Sequence, residues 1–423
     1  MAAGTPEIST FLYHTPVQRS VPVKSWLCTS WFGQPRTCPG LDLQRLGAYR
    51  IALNCFQIEG RLETEARKAT RRVLQRQYRQ SLESHTTIPV ERPAAESKRS
   101  SPVRGMEPLT IDRTHILVLN YNGRDLLAEC LPSIVLAAAR SAVPCGVTVV
   151  DNDSTDGSAG LVSQRWPGVR VVREQNRGLA SFNRVLTAFD EPVVLLLNND
   201  VKLAPSAVGP LLRVFEEHDD ALFSAPLCWS FDGRNYEGMR TRVRSKFGLV
   251  QGMCRVPGHE RVLDRADLTA SAGPVLAVDR RKFLALGGYD PVYFPGRIED
   301  LDLGFRGWMA GLKGYYEPRS VAYHRGLATF GPAMGIDRCD ALAIRNSFLF
   351  AWKNLRGFRL VAHLFWVPVR LGYWLLRGRI DLAVSLAAAV RRFAAVGPAC
   401  QRTTAGEGSR IARQEAFFRR FPW

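Results

Sequence analysis

The sequence predicts an α/β domain, a mostly parallel sheet with helices on both faces, followed by a basic helical region. Three observations lead there. From residue 115 onward, short continuously apolar runs alternate with helix-length stretches, the pattern of strands buried on both faces. Clusters rich in Asn and Asp recur just downstream of those runs, where open α/β sheets gather their ligands. Beyond residue 345, Trp, Phe and Leu interleave with Arg in a helical manner.

The elements follow in order. Residues 115–120 (HILVLN) read as a first strand and 126–140, rich in Ala and Leu, as a helix. Residues 146–150 (GVTVV) form a second strand that ends at Asp151. Ser-Thr-Asp then supplies cap chemistry for a helix over 154–164. Residues 169–173 give a third strand, 179–189 a helix, and 193–197 (VVLLL) a fourth strand. Residues 226–268 read as a less regular insertion containing Arg and Gly, and 270–278 as an apolar segment. No internal repeat is visible.

Residues 1–105 differ in kind. Pro, Ser, Thr, Arg and Gln are frequent, apolar periodicity is weak outside an Arg-rich stretch at 62–84, and 92–105 is a polar linker. The expected division is a largely disordered basic tail over 1–105, an α/β domain over 106–340, and basic aromatic-rich helices over 341–423. Met106 is an alternative natural start.

Composition bounds the function. With 423 residues and 46% hydrophobic content, the chain can bury a large core. The net charge of +18 is uneven: 16 basic against 8 acidic residues over 1–105, 27 against 28 over 106–340, and 14 against 3 over 341–423. Basic flanks suit an anionic partner, such as nucleic acid or an acidic bilayer surface. The nine cysteines form no CxxC pair, which argues against a zinc site and fits a reducing cytoplasm. No signal-peptide pattern opens the chain. The best apolar stretch, 361–376, is broken by His363, Pro368 and Arg370, so it does not read as a membrane span.

Each polar cluster has two readings. Asp151 can accept from the imide N–H of a uracil or thymine ring, or, with Asn152, simply make the turn. Asn176-Arg177-Gly178 reads first as a structural turn, and second as a place where backbone approaches a phosphate or ribose. Asn198-Asn199-Asp200 can hold a divalent cation that bridges a diphosphate, or cap the next helix; Asp200 lies five residues before Pro205, far for a cap. Glu299, Asp300 and Asp302 place three carboxylates within four positions. Like charges so close raise at least one proton affinity, which suits a general base, while acidic residues also suit a helix N-terminus. His324 alone reads first as a structural histidine and second as a metal ligand.

In their order, these blocks resemble the family-2 glycosyltransferases of the Rossmann-like GT-A fold, in particular the bacterial rhamnosyl- and galactofuranosyltransferase group. The matching blocks are LNYNG at 119–123, VDNDSTDGS at 150–158, NRGLASFNR at 176–184 and LLLNNDV at 195–201. They continue with AGPVLAVDRRKFLALGGYDPVYF at 272–294, EDLDLGFR at 299–306 and AYHRG at 322–326. The resemblance spans roughly 114–356. It implies inverting transfer of a hexosyl or deoxyhexosyl group from a nucleotide-diphosphate sugar, UDP- or dTDP-linked, to a glycan or lipid-linked acceptor. That chemistry serves cell-surface polysaccharide or glycolipid synthesis.

The resemblance also implies roles. Asn120, Tyr121, Asn122, Asp151, Asn176, Gly178 and Asn199 fall at the donor site. Asp200, with Asn198 and His324, falls at a Mg²⁺ or Mn²⁺ site on the diphosphate. Asp300 falls at the catalytic base, with Glu299 beside it on the acceptor side. Many relatives carry Asp where this chain has Asn198, which lowers the negative charge of the metal shell. The expected location is cytoplasmic, peripheral on the inner face of the cell membrane. The mixture of aromatic and basic residues over 341–423 suits a helix lying in a bilayer interface, or a helix packed on the domain with its arginines solvated.

Two rival functions use parts of the same sequence. An enzyme that forms the activated sugar would need a glycine-rich loop with a catalytic Lys after the first strand, which is missing here. Nucleic-acid binding would use the basic flanks, yet the middle is neutral and shows no recognition motif. Salt-dependent retention on DNA would favour the latter. A chain beginning at Met106 is expected to fold and keep activity, since every motif lies beyond it. Insolubility of that fragment beside a soluble full chain would show that residues 1–105 pack on the core.

Overall fold

The computed structural model describes residues 109–326, 336–396 and 407–423. The expected tail over 1–105, with its stretch at 62–84, and the start at Met106 lie outside the described residues.

The first half alternates as expected. Strand β1 (Thr114–Asn120) leads to helix α1 (Arg124–Ala139), β2 (Cys145–Asp151) to α2 (Ser158–Arg165), and β3 (Arg170–Arg173) to the short α3 (Ser181–Val185). Strand β4 (Val193–Asn198) then runs through the middle of the domain. Strands β3, β2, β1 and β4 lie side by side and parallel, with Asn120 opposite Asp151 and Leu119 opposite Asn198. Their polar termini therefore share one edge. Val193 to Leu197 are fully buried, as a strand covered on both faces requires.

Beyond β4 the sheet becomes mixed, where the sequence led us to expect a mostly parallel one. Strands β5 (Val201–Leu203), β6 (Ala221–Ser230) and β7 (Tyr236–Gly238) follow, with α4 (Val208–Glu217) between β5 and β6. A separate hairpin of β8 (Arg242–Lys246) and β9 (Leu249–Met253) precedes β10 (Asp267–Thr269) and β11 (Val275–Asp279). β11 lies antiparallel to both β4 and β6. The chain reaches it from the same edge at which β4 ends, since the Asn198 amide donates to the Pro274 carbonyl, so it can only run back down. The segment over 226–268, read as irregular, is partly ordered in strands. β6 extends through Pro226 to Ser230, almost wholly buried. Its Pro, Ser and Cys hide the apolar run that marks the other strands.

Helix α5 (Arg280–Ala285) leads to α6 (Glu299–Met309) and the long strand β12 (Lys313–His324). β12 runs parallel to β6 and returns to the ligand edge, where His324 lies opposite Val201 of β5. Among the described residues four helices follow: α7 (Ile336–Asn354), α8 (Gly357–Leu376), α9 (Ile380–Val396) and α10 (Glu407–Arg420).

Two apolar cores result. One fills both faces of the sheet. The other joins Leu301, Phe305 and Met309 of α6 to Phe348 and Phe350 of α7, Trp374 of α8, and Phe417 and Phe421 at the C-terminus. Burying side chains of this size stabilises by about 1.5–3 kcal/mol each. The C-terminal helices therefore complete the packing of the acidic motif at residues 299–302. Among the described residues, no helix is long and apolar enough to cross a membrane.

Candidate active site

The parallel edge is organised by amide side chains that tie neighbouring turns together. Asn120 is fully buried; its Oδ1 accepts from Asn199 Nδ2 at 2.8 Å, and its Nδ2 donates to Ser158 Oγ at 2.9 Å. Asn122, in the left-handed region at φ 47°, accepts from the Thr155 amide at 2.8 Å. Asp156 accepts from the Arg124 and Ser158 amides, at the start of α1 and α2. The turns after β1, β2 and β4 thus form one hydrogen-bonded unit. Tyr121 stays exposed above it.

Asp151 is only 1% exposed at the end of β2, and its Oδ1 has no hydrogen-bond partner. Its other oxygen lies 3.8 Å from the exposed Arg173 guanidinium. A cleft of about 400 Å³ opens beside it, lined by Asp151, Asp153, Ser154, Arg173, Glu174 and Gln175. An unpaired buried carboxylate oxygen is costly, so its presence at a cleft marks a place for a donor. Asn152 Nδ2 reaches across to the Gly178 carbonyl at 3.2 Å, and Asn176 Oδ1 accepts from the Gly178 amide at 3.1 Å. Gly178 has φ +60°, and a Cβ there would come within 3.0 Å of the Pro295 carbonyl. This turn is therefore held to β2 on one side and pressed against the 293–296 loop on the other.

Asp200, 5% exposed, lies in the β4–β5 turn with Oδ1 unpaired. Its Oδ2 is 3.4 Å from His324 Nε2, while His324 Nδ1 is 3.9 Å from Glu237 Oε2 on β7. Arg255 holds Glu237 at 2.9 Å. Asn198 is half-buried at the end of β4. Asp200 and His324 are brought together from 124 positions apart in sequence by β12 pairing with β5. They supply an oxygen and a nitrogen of the kind that holds a divalent cation. Among the described residues no group of three or more His, Cys, Asp or Glu is preassembled for a metal.

The three carboxylates of the acidic motif separate into two kinds. Asp302 is fully buried and accepts from Tyr293 Oη at 2.8 Å, Arg306 Nε at 2.6 Å, Asn354 Nδ2 at 2.7 Å and Lys353 Nζ at 3.0 Å. Although burial opposes its charge, the Arg306 and Lys353 cations hold its carboxyl well below the usual range. Glu299 and Asp300 each keep a buried oxygen without a partner. Burial pushes Glu299 up to about 7, and burial with the Glu299 charge raises Asp300 as well. They begin α6 directly after Arg297 and Ile298, both left-handed at φ 78° and 75°. Glu299 faces Arg177, Leu179 and Ala180 across a small pocket, which joins the acidic motif to the Asn176–Gly178 turn.

The preceding loop is clamped by the C-terminal helices. Asn346 Nδ2 donates to the carbonyls of Tyr293, Gly296 and Arg297 at 2.6–2.9 Å. Arg345 reaches the Phe294 carbonyl at 2.6 Å, and Arg392 reaches that of Pro291 at 2.7 Å. Glu237, Asn346 and Lys353, which lie against the candidate site, were not legible in the sequence, because each acts on partners far away in the chain.

Residues 115–275 match the family model "Glycosyl transferase family 2". A Mycobacterium tuberculosis N-acetylglucosaminyl-diphospho-decaprenol L-rhamnosyltransferase is 28% identical over 63% of this chain and 90% of its own. Among solved structures, a Pyrobaculum calidifontis mannosyltransferase in complex with GDP-Man and Mn²⁺ is 18% identical, covering 84% of this chain and 91% of that one with a TM-score of 0.41. S. aureus TarS with UDP-GlcNAc is 15% identical, covering 66% and 81% with a TM-score of 0.43.

The Glu299 carboxyl binds a proton more tightly in the folded chain than the ordinary value of 4.5 allows. Its contribution to stability is therefore full below pH 4.5 and falls as pH rises toward 7, by ~1.4 kcal/mol per unit of displacement. Glu299→Gln is expected to flatten the loss of stability between pH 5 and 8 in urea unfolding. An unchanged slope would mean that Glu299 ionises freely in the folded chain.

Proposed function

We propose that this chain, a family-2 glycosyltransferase of the rhamnosyltransferase-like kind, transfers a deoxyhexose from a nucleotide-diphosphate donor to a hydroxyl acceptor with inversion at the anomeric carbon. The observation that carries the reading is the division of the acidic motif. Glu299 and Asp300 each keep a buried oxygen without a partner and bind protons more tightly than an ordinary carboxyl, next to the turn at Gly178, while Asp302 is neutralised by cations. A base that must take a proton near neutral pH needs a proton affinity raised above that of an ordinary carboxylate.

Asp300 takes the proton of the acceptor hydroxyl as its oxygen attacks the anomeric carbon. The bond from that carbon to the phosphate oxygen breaks, and the nucleoside diphosphate leaves on the opposite face. Glu299 orients the acceptor. Asp151 receives the imide N–H of a uracil or thymine base in the cleft beside Arg173, with Tyr121 above and the Asn122 and Asn176–Gly178 turns around it. The burial of Asn120 and its bond to Asn199 support a positioning role for that pair, behind the residues that touch the donor. Asp200 and His324, with Asn198 beside them, would hold Mg²⁺ or Mn²⁺. Such a cation offsets negative charge on the departing diphosphate. The unpaired Asp200 Oδ1 and the adjacent imidazole support this assignment.

The name of the mycobacterial relative supports a lipid-diphosphate-linked glycan as acceptor. On this reading the chain serves cell-surface polysaccharide or glycolipid synthesis at the cytoplasmic face of an anionic membrane. A panel of UDP-, dTDP- and GDP-sugars with Mn²⁺, followed by nucleotide release, tests the reading; no release from any donor would sink it.

Asp300→Asn is expected to leave nucleotide binding intact and lower turnover at least about 100-fold. Near-normal turnover in Asp300→Asn, with a folded but inactive Asp302→Asn, would move the base to Asp302. Asp200→Ala should weaken binding of UDP or dTDP more than of the free nucleoside, and His324→Ala should do so more mildly. Calorimetry with and without EDTA decides, and equal losses for diphosphate and nucleoside would remove the metal role.

A further inference from the structure

Helix α8 has an outward face of unusual chemistry. Its exposed positions are Phe358, Val361, Leu364, Phe365, Pro368, Val369, Gly372, Leu375 and Leu376, every one uncharged and apolar. They recur at steps of three and four along 20 residues, about 30 Å of one helix face. Phe358 is 83% and Leu376 90% exposed, so the stripe is open at both ends. Ile380, Val384 and Val390 of α9 are also exposed.

The residues that interrupt this stretch in sequence point the other way. His363 is buried with Nδ1 2.7 Å from the Gly248 carbonyl. Arg370, 4% exposed, donates to the carbonyls of Phe247 and Lys246 at 2.7 and 2.6 Å. Arg359 forms a two-pronged pair with Glu415. These bonds dock the tip of the β8–β9 hairpin on α8, where a Cβ on Gly248 would lie 2.7 Å from the His363 backbone. Phe247 then stands exposed at that tip, with its ring 5.0 Å from Trp366. Cations edge the surface: Arg377 and Arg391 are exposed, and Lys246 lies beside Phe247. Between residues 357 and 396 there are six arginines and one acidic residue, Asp381, which is paired with Arg379.

We propose that α8, together with the hairpin tip at Phe247, is a platform that inserts into one leaflet of an anionic bilayer, parallel to its plane. This deepens the membrane part of the function proposed above by naming the inserting face. A protruding apolar ridge fits a fluid acyl phase, which closes around any convex shape, and the cationic border fits anionic headgroups. With His363 and Arg370 turned inward, no charge on the stripe opposes insertion. A contiguous apolar surface of this length is seldom left in water without such a partner.

The test uses the full chain and liposomes of phosphatidylcholine with or without phosphatidylglycerol, separated by flotation. The chain should float with phosphatidylglycerol vesicles and release partly at high salt. Leu364→Glu/Phe365→Glu, at exposed positions, should weaken flotation at least about tenfold. Its thermal melting and its binding of UDP or dTDP by calorimetry should be unchanged, which separates loss of docking from loss of fold or donor site. Equal flotation of variant and parent, or a parent that never floats, overturns the proposal. So does a parent dimer, detected by light scattering, that this double substitution converts to monomer, since a second copy would then cover the stripe.

Discussion

The Asp302 carboxylate organises the site more than any other single group. It lies on α6, yet its partners come from the 290–293 loop and from α6 and α7: Tyr293, Arg306, Lys353 and Asn354. Lys353 also binds Asp290 at 2.5 Å, which draws the loop to the same point. A buried charge is tolerated only when its partners surround it, and removing one leaves several kcal/mol of uncompensated desolvation. The network therefore has few ways to rearrange. It fixes the first turn of α6, and with it the directions of Glu299 and Asp300.

Those two carboxylates show the opposite solution. Each keeps a buried oxygen without a hydrogen-bond partner, at a cost in stability that a purely structural helix start would avoid by facing solvent. Raised proton affinity is the physical sign of that cost. The backbone before them is also unfavourable, with Arg297 and Ile298 left-handed, and Ile is a β-branched residue for which this region is strained. Asn346 offsets this by binding three loop carbonyls, those of Tyr293, Gly296 and Arg297. Stabilisation from α7 thus supports a strained, proton-hungry segment that the sheet alone does not hold.

The opposite wall is built from hydrogen bonds between turns. Asn120 and Asn199 bond each other, while Asn122 and Asp156 take up the backbone amides of Thr155 and Arg124, so side-chain hydrogen bonds tie the strand ends together above the apolar core. Against that edge, the unpaired oxygens of Asp151 and Asp200 stand out as groups whose partners are not supplied by the protein. The two walls meet at Gly178, close to the Pro295 carbonyl.

Much of this was set by local sequence. Apolar runs of strand length, with Asn and Asp at their ends, specify both the parallel half of the sheet and the edge where Asp151, Asn176 and Asp200 gather. They do so because strand alternation and crossover geometry depend on nearby residues. The mixed half was not legible: Pro226 and Ser224 break the apolar signal of β6, and the direction of β11 is decided by where the chain re-enters the sheet. Nor could spacing divide the acidic motif. Glu299, Asp300 and Asp302 are adjacent in sequence and chemically alike, and what separates them is whether Arg306, Lys353 and Asn354 reach them. The same holds for α8, where Arg370 and His363 interrupt the apolar run in sequence yet leave the outer face uncharged once the hairpin carbonyls at 246–248 bind them. Sequence by itself determined which residues were available. Tertiary packing decided which charges were neutralised, because neutralisation depends on distance in space and not along the chain.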